Sequence, residues 1–300
     1  MIHPAATLVL VREHGGGLEA MMLRRHSAIA FMGGMWVFPG GRMDAADQSP
    51  EARSRILPES RAAAPARLKS MQDRSLDPAA AVGLHIAACR EAFEESGVLL
   101  ACNSDGEPCV PDTASRLAPR RAEVTADASA FARMLRDEDL YIDLRRLVYW
   151  SHWITPSIEP KRFDTRFFVA MLPPGQTASA DRSELTEHVW IDPAAAIAAQ
   201  ARGELMFVAP TQLTLEDLAE SRARHGSLQA MLDAEAGRET PPVMPKIELA
   251  ADRVRIVMPW DPGYEAATGE SCDSPAAYPG HLTRRPSVVT MARPSPPRGN

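Results

Sequence analysis

Several large classes of protein are excluded by what this chain lacks. It has four cysteines, Cys89, Cys102, Cys109 and Cys272, and no Cys-x-x-Cys pair. Neither a zinc site nor a disulfide framework is therefore expected. Cys89 falls within a helical pattern and reads as a small buried residue rather than a nucleophile. Positive charge is not in excess: 33 Lys and Arg against 39 Asp and Glu leave a formal net charge of −6. The resulting pI near 5.8 argues against a general nucleic-acid binder. An anionic ligand must then be met by local cations rather than by the overall field. No apolar run approaches the ~20 residues of a membrane-spanning helix. The first residues, Met1-Ile2-His3-Pro4, lead directly into a strand-like run without the basic segment and cleavage site of a signal peptide. The last, Pro297-Arg298-Gly299-Asn300, are not a peroxisomal address. Internal repeats are absent. The expectation is a cytoplasmic protein whose partner is a small molecule, without nucleic acid or membrane.

What is present suffices for a core. Of 300 residues 45% are hydrophobic, enough for one large domain or a domain with appendages. The most informative stretch is 77–97. Asp77 is a good N-cap and Pro78 suits the first helical position, where a missing N–H costs nothing. Gly97 suits the left-handed residue that ends a helix. At 100° per residue, Glu91, Glu94 and Glu95 fall within an arc of roughly 100°. Leu84, Ala88 and Ala92 make a small-residue stripe on another face, fit to pack closely on a sheet. Three carboxylates crowded near a helix C-terminus repel one another and the dipole alike. Arg90 is the one nearby countercharge. A hard divalent cation among the carboxylates would relieve them, whereas the plainer reading is a solvated acidic face. Upstream stands Phe38-Pro39-Gly40-Gly41, a turn whose paired glycines allow backbone groups to approach a phosphate or metal.

Together the two pieces resemble the Nudix box, G-x5-E-x7-R-E-U-x-E-E-x-G-U with U aliphatic. The chain offers Gly41-x5-Asp47 and then Arg90-Glu91-Ala92-Phe93-Glu94-Glu95-Ser96-Gly97-Val98. It departs in Asp47 for the first glutamate and Ala92 for an aliphatic residue. Gly41 and Arg90 also stand 49 positions apart instead of 14, about 35 more than the box requires. Leu23-Arg24-Arg25-His26-Ser27, Phe31-Met32-Gly33, Trp150-Ser151-His152-Trp153 and Arg162-Phe163-Asp164-Thr165-Arg166 are similar to the Nudix branch that includes peroxisomal coenzyme A diphosphatases. That branch is likewise interrupted inside its box, and the resemblance covers most of 5–260. It implies an α/β (α+β) Nudix fold, a mixed β-sheet sandwiched between helices, with an insertion and a C-terminal extension. It implies Mg²⁺- or Mn²⁺-dependent hydrolysis of a phosphoanhydride, with coenzyme A or acyl-coenzyme A as the leading substrate. Another nucleotide derivative, or a nucleotide-sensing module without catalysis, is the alternative. An arginine that the familiar coenzyme A signature places just before its glycines is replaced here by Ala30.

The resemblance also assigns roles. Glu91, Glu94, Glu95, Gly41 and Asp47 are expected at the metal, Arg90 as orienter of the glutamates, and Glu187 as a further catalytic acid beside Glu184. Arg24, Arg25 and Arg162 are expected at the substrate's phosphates, with Phe38, Gly40 and Gly41 beside them. Trp150 and Trp153 are expected to pack. His26, His85, His152 and His188 lack metal-ligand spacing and are expected to be structural.

Along the chain, 5–12 and 18–25 read as a hairpin around Gly15-Gly16. The insertion, 44–76, reads as a surface excursion with a helix near 50–56 or 61–71, a candidate lid or a contact in a homodimer. A turn-rich loop is expected at 102–119, one helix at 122–138, strands at 147–154, 163–171 and 187–191, and a helix from Asp192-Pro193 to Gly203. A further helix at 214–224 would start from a Thr214/Asp217 capping box. The hydrolase domain is expected to span 1–240 and a small β extension 241–264. The Pro-, Ser- and Gly-rich tail 265–300 is expected to lack fixed structure.

Overall fold

Two glycines with positive φ, Gly15 (58°) and Gly16 (79°), turn strand β1 (Ile2–His14) back into β2 (Gly17–Arg25). This conformation matches the twist of a tight hairpin and suits residues without a Cβ. The computed structural model describes residues 1–28, 33–61, 76–181, 184–249, 253–272, 277–283 and 289–292. The hairpin opens like a fork. Val11 to His14 pair with β2, whereas Ala5 to Thr7 pair with β4 (Gly40–Arg42). The far end of β2 pairs with β3 (Trp36–Val37) on this side and with β7 (Leu185–Ile191) on the other. Along its second edge β1 runs parallel to β6 (Arg162–Met171). Next come β5 (Val148–Ile154), antiparallel to β6, and β8 (Pro242–Val243), parallel to β5. The glycine turn is thus wedged between the diverging arms, and Leu8 N–H bonds Pro39 O at 2.8 Å.

Helices cover both faces of this mixed sheet, as expected. On one lies α3 (Pro78–Ser96), with Leu84, Ala88 and Ala92 fully buried against Ala6, Leu8, Leu10, Met21 and Leu23. Asp77 caps it through Ala79 N–H and Gly97, at φ +73°, ends it. On the other lie α7 (Pro193–Ala201), α8 (Ala209–Arg224) and α9 (Leu228–Glu235), over Val9, Val11, Trp36, Phe38, Trp150 and Trp153. Among the described residues no helix is long and apolar enough to cross a membrane.

Several local expectations are corrected. The described part of the insertion is not a loose excursion. Its helices α1 (Pro50–Ser54) and α2 (Pro58–Arg61) and the link between them bury Ala52, Ile56 and Leu57, the first two in the main core. Leu57 N–H bonds Ile142 O, Ile142 N–H bonds Arg55 O, and Leu144 N–H bonds Ser60 Oγ. A helix at 61–71 lies outside the described residues apart from Arg61. The loop expected at 102–119 contains α4 (Pro111–Leu117), begun by proline at its first turn. The single helix expected at 122–138 is two, α5 (Arg121–Ala126) and α6 (Ser129–Asp137). Asp127 leaves the helix (φ −147°, ψ 103°) because its carboxylate accepts from the N–H and hydroxyl of Ser129. Helix α8 begins five residues before Thr214. Thr214 and Asp217 are buried within it and form no cap, and Asp217 instead meets Arg238 at 2.6 Å. After β8, β9 (Lys246–Leu249) and β10 (Arg253–Val257) pair as a hairpin. The tail then contributes α10 (Gly280–Thr283) and β11 (Val289–Ala292), the latter paired with β10.

Candidate active site

The glycine turn and the acidic helix meet at the mouth of the fork. Gly40 N–H donates to Glu95 Oε2 at 2.8 Å. A Cβ on Gly40 would lie 2.6 Å from Ala6 O and 2.8 Å from Thr7 Cα, so the approach to β1 admits no side chain. A Cβ on Gly41 would lie 2.6–2.8 Å from the carboxylate of Glu91. The two glycines thus serve different neighbours, one the strand and the other the helix.

Arg90 organises the carboxylates. Nε and Nη2 donate to Asp47 Oδ1 and Oδ2 at 2.9 and 3.0 Å, and Nη2 also to Arg42 O at 3.0 Å. Nη1 donates to Glu91 Oε1 at 2.9 Å and to Glu94 Oε1 at 2.6 Å. All of the guanidinium's N–H donors are used. Burial works against its charge, but the bonds to Asp47 and the charges of Glu91 and Glu94 outweigh it and hold the proton firmly. Burial pushes the Asp47 carboxyl up while Arg90 pulls it down. The two parallel donors mark Asp47 as the ionised partner.

These bonds use one oxygen of each glutamate. Oε2 of Glu91, Oε2 of Glu94 and Oε1 of Glu95 have no hydrogen bond to the described residues. Burial pushes Glu91 up to about 7, with Arg90 opposing and Glu94 adding. Glu95 is pushed well up by burial and by the charge of Glu91, against the Gly40 N–H. Negative charge here is under-compensated. Among the described residues no group of three or more His, Cys, Asp or Glu is already arranged around a metal position. The donor set nevertheless suits a hard cation: three half-free carboxylates on one helical face, costly as neighbouring anions without a countercharge.

The carboxylates open on a cleft of about 360 Å³. Asp44 lines it beside Arg42, Val124, Thr125, Ala126 and Ala128 line it from α5 and the start of α6, and Asp181 and Glu184 from the approach to β7. Nothing in the sequence pattern singled out Asp181 or the α5 wall, since small and acidic residues in loops are ordinary.

The remaining candidates separate by strand alternation. Arg25 shares the α3 face with Met21 and Leu23 and lies 4.0 Å from Glu184. Arg24 is on the opposite face, paired at 2.9 Å with its cross-strand neighbour Glu187, and neither is among the residues lining the cleft. Phe38 also leaves the site, 4% exposed in the core beneath the other face with Trp36. Arg162 lies at the start of β6, bonded to Thr155 O and to Glu270 of the C-terminal tail. Asp47 sits behind Arg90, 2% exposed, with both oxygens occupied by the guanidinium and Oδ2 also by Asp44 N–H. Trp150 and Trp153 pack, as expected. His85 bonds Ala81 O, and His152 meets Asp164 at 2.5 Å.

The model of the family described as the NUDT19 Nudix domain matches residues 4–217. Acyl-coenzyme A diphosphatase NUDT19 of Homo sapiens is 32% identical over 206 residues, 60% of this chain and 55% of that protein. The Xenopus laevis protein of that name is 29% identical over 205 residues, 60% of this chain and 54% of its own. The chain therefore spans little more than half the length of these relatives. A NUDIX hydrolase from Alicyclobacillus acidocaldarius superposes with a TM-score of 0.59 at 26% identity, over 80% of this chain and 97% of that one.

Proposed function

Because the chain belongs to the NUDT19 Nudix domain family, we propose that it is a divalent-metal-dependent diphosphatase. It hydrolyses a phosphoanhydride in a nucleoside diphosphate derivative, with coenzyme A or acyl-coenzyme A as substrate and 3′,5′-ADP and (acyl-)phosphopantetheine as products. The observation that carries this reading is the set of three half-free carboxylates held over the glycine turn.

Glu91, Glu94 and Glu95 would hold Mg²⁺ or Mn²⁺. When bound, the cation supplies charge neutralisation at the phosphate oxygens and a more acidic water. The chain's own residues prepare that place. Arg90 holds Oε1 of Glu91 and Glu94, leaving their Oε2 atoms for a ligand. Gly40 N–H does the same for Glu95. Gly41 leaves the space that Glu91 fills. Asp47 acts through Arg90 as its anchor rather than as a metal ligand. A carboxylate oxygen of the cluster not engaged by the cation is suited to take a proton from an attacking water. Glu184, with Asp44 and Asp181, is an acid offered to the cleft from outside the helix, and Arg42, which lines the cleft beside the carboxylates, is the cation available there for a phosphate oxygen.

The test is incubation with Mg²⁺ and coenzyme A, ADP-ribose or a dinucleotide, with products resolved by chromatography. The expected outcome is release of 3′,5′-ADP from coenzyme A. Glu94→Gln should lower kcat by about 100-fold or more with an unchanged circular dichroism spectrum. Preference for ADP-ribose would redirect the substrate, and tight binding without turnover would make the chain a sensing module.

A further inference from the structure

One wall of the cleft takes no part in the carboxylate chemistry. Val124, Thr125, Ala126 and Ala128 offer it neither charge nor ring. Val124 is rooted in the core, 1% exposed, whereas Thr125 and Ala126 are exposed. Arg121, on the same helix, ties this wall to the acidic helix. Its Nε donates at 2.9 Å to the carbonyl of Glu94. That carbonyl lies in the last turn of α3, where no intrahelical donor is available, and a cation there also meets the negative end of the helix dipole. Nη1 donates at 3.2 Å to Ser179 Oγ. Ser179 N–H donates in turn to Ser96 O at 2.8 Å, and Gln176 bonds both Leu99 N–H and Leu99 O. Gly97 leaves room for the guanidinium, since a Cβ there would lie 3.2 Å from Nη1. Nη2 is buried without an acceptor among the described residues, in electrostatic reach of Asp181 and Glu95. One side chain therefore joins the wall, the helix end that carries Glu94 and Glu95, and the loop that leads to Asp181.

We propose that Arg121 is a positioning residue that sets the width of the cleft, and that the uncharged wall it holds selects the part of the diphosphate substrate lying away from the reacting phosphates. The inference rests on the hydrolase reading and deepens it. A surface without cations or rings fits a flexible, uncharged arm better than a phosphate or a stacked base. Coenzyme A has such an arm and ADP-ribose does not.

The experiment compares Arg121→Gln, Arg121→Lys and Ala126→Trp with the unaltered protein, the last at an exposed position. It reads steady-state constants with Mg²⁺, calorimetric binding of coenzyme A and ADP-ribose to the Ca²⁺-loaded protein, Mn²⁺ affinity by electron paramagnetic resonance, and Tm. In Arg121→Gln and Ala126→Trp the KM and Kd for coenzyme A should rise about tenfold, with kcat within about threefold. Mn²⁺ affinity should change far less than KM, because the carboxylate oxygens are held by Arg90 and Gly40 N–H rather than by Arg121. Arg121→Lys should recover part of the loss, and ADP-ribose should bind with less change. Unchanged constants for coenzyme A in both variants would overturn the proposal. So would a joint fall of kcat, Mn²⁺ affinity and Tm in Arg121→Gln with Ala126→Trp unaffected, which would make Arg121 merely structural. If Glu94→Gln abolishes turnover while the wall variants behave as wild type, only this proposal fails. If the unaltered protein binds neither diphosphate, it falls together with the substrate reading.

Discussion

Arg90 and Asp47 share two parallel hydrogen bonds of 2.9 and 3.0 Å although they stand 43 residues apart in the chain. Asp47 sits in a single 3-10 turn closed by its own bond from Asp44 N–H. The turn is continuous with α1, which is buried in the core. A side chain on the inserted segment therefore anchors the guanidinium that aims Glu91 and Glu94.

The pair is buried, so removing one member leaves a desolvated charge. Asp47→Ala should cost about 3–5 kcal/mol in urea unfolding. Glu51→Ala, which removes the exposed ion pair with Arg136, should cost no more than about 1 kcal/mol. Equal losses in the two variants would contradict an anchoring role for Asp47.

The adjacent glycines should fail differently. Gly40→Ala drives a methyl into the backbone of β1 and should lower Tm, by about 2–4 °C for each kcal/mol lost in a domain of this size. Gly41→Ala drives it into the Glu91 carboxylate, a side chain that can move. Its Tm should fall less, while kcat falls by about tenfold or more as Glu91 is displaced. Thermal melts and turnover on the same preparations separate the two effects.

Stability of the metal-free protein should depend on pH in a definite sense. The folded-state pKa of Glu91 is raised from 4.5 to about 7, and that of Glu95 is raised too. Their contribution is present in full below the unfolded value and is lost as the pH rises through the folded one, so Tm should fall between about pH 4.5 and 7. Glu91→Gln should flatten that slope. Mg²⁺ should raise Tm more at the alkaline end, where the carboxylates are ionised. A melting temperature independent of pH across this window, with or without Mg²⁺, would count against the cluster as a cation site.

The two acids before and within β7 should also part company. Glu187 pairs with Arg24 on the face away from the cleft, so Glu187→Ala should leave kcat within about twofold, as expected for an exposed pair. Glu184→Ala acts on a residue that lines the cleft and should lower kcat. Progress curves for the two variants at saturating substrate decide between them.

The features written within a few residues were legible in the chain alone. Asp77 and Pro78 start the acidic helix and Gly97 ends it, because caps act on adjacent backbone groups. The spacing of Glu91, Glu94 and Glu95 put them on one face, and the small stripe of Leu84, Ala88 and Ala92 foretold close packing on a sheet. What only the tertiary structure decided is which distant groups these residues meet. Alternation along β2 makes Arg24 and Arg25 point to opposite faces, but the face that holds the cleft is set by where α3 docks. Asp47 resembled a ligand from its place after the glycines and became the partner of Arg90 because its capped 3-10 turn packs against the helix. The α5 wall arose where Asp127 breaks an otherwise continuous helical pattern. Periodicity and capping are short-range and so are encoded locally, whereas pairing across a cleft depends on the packing of the whole core.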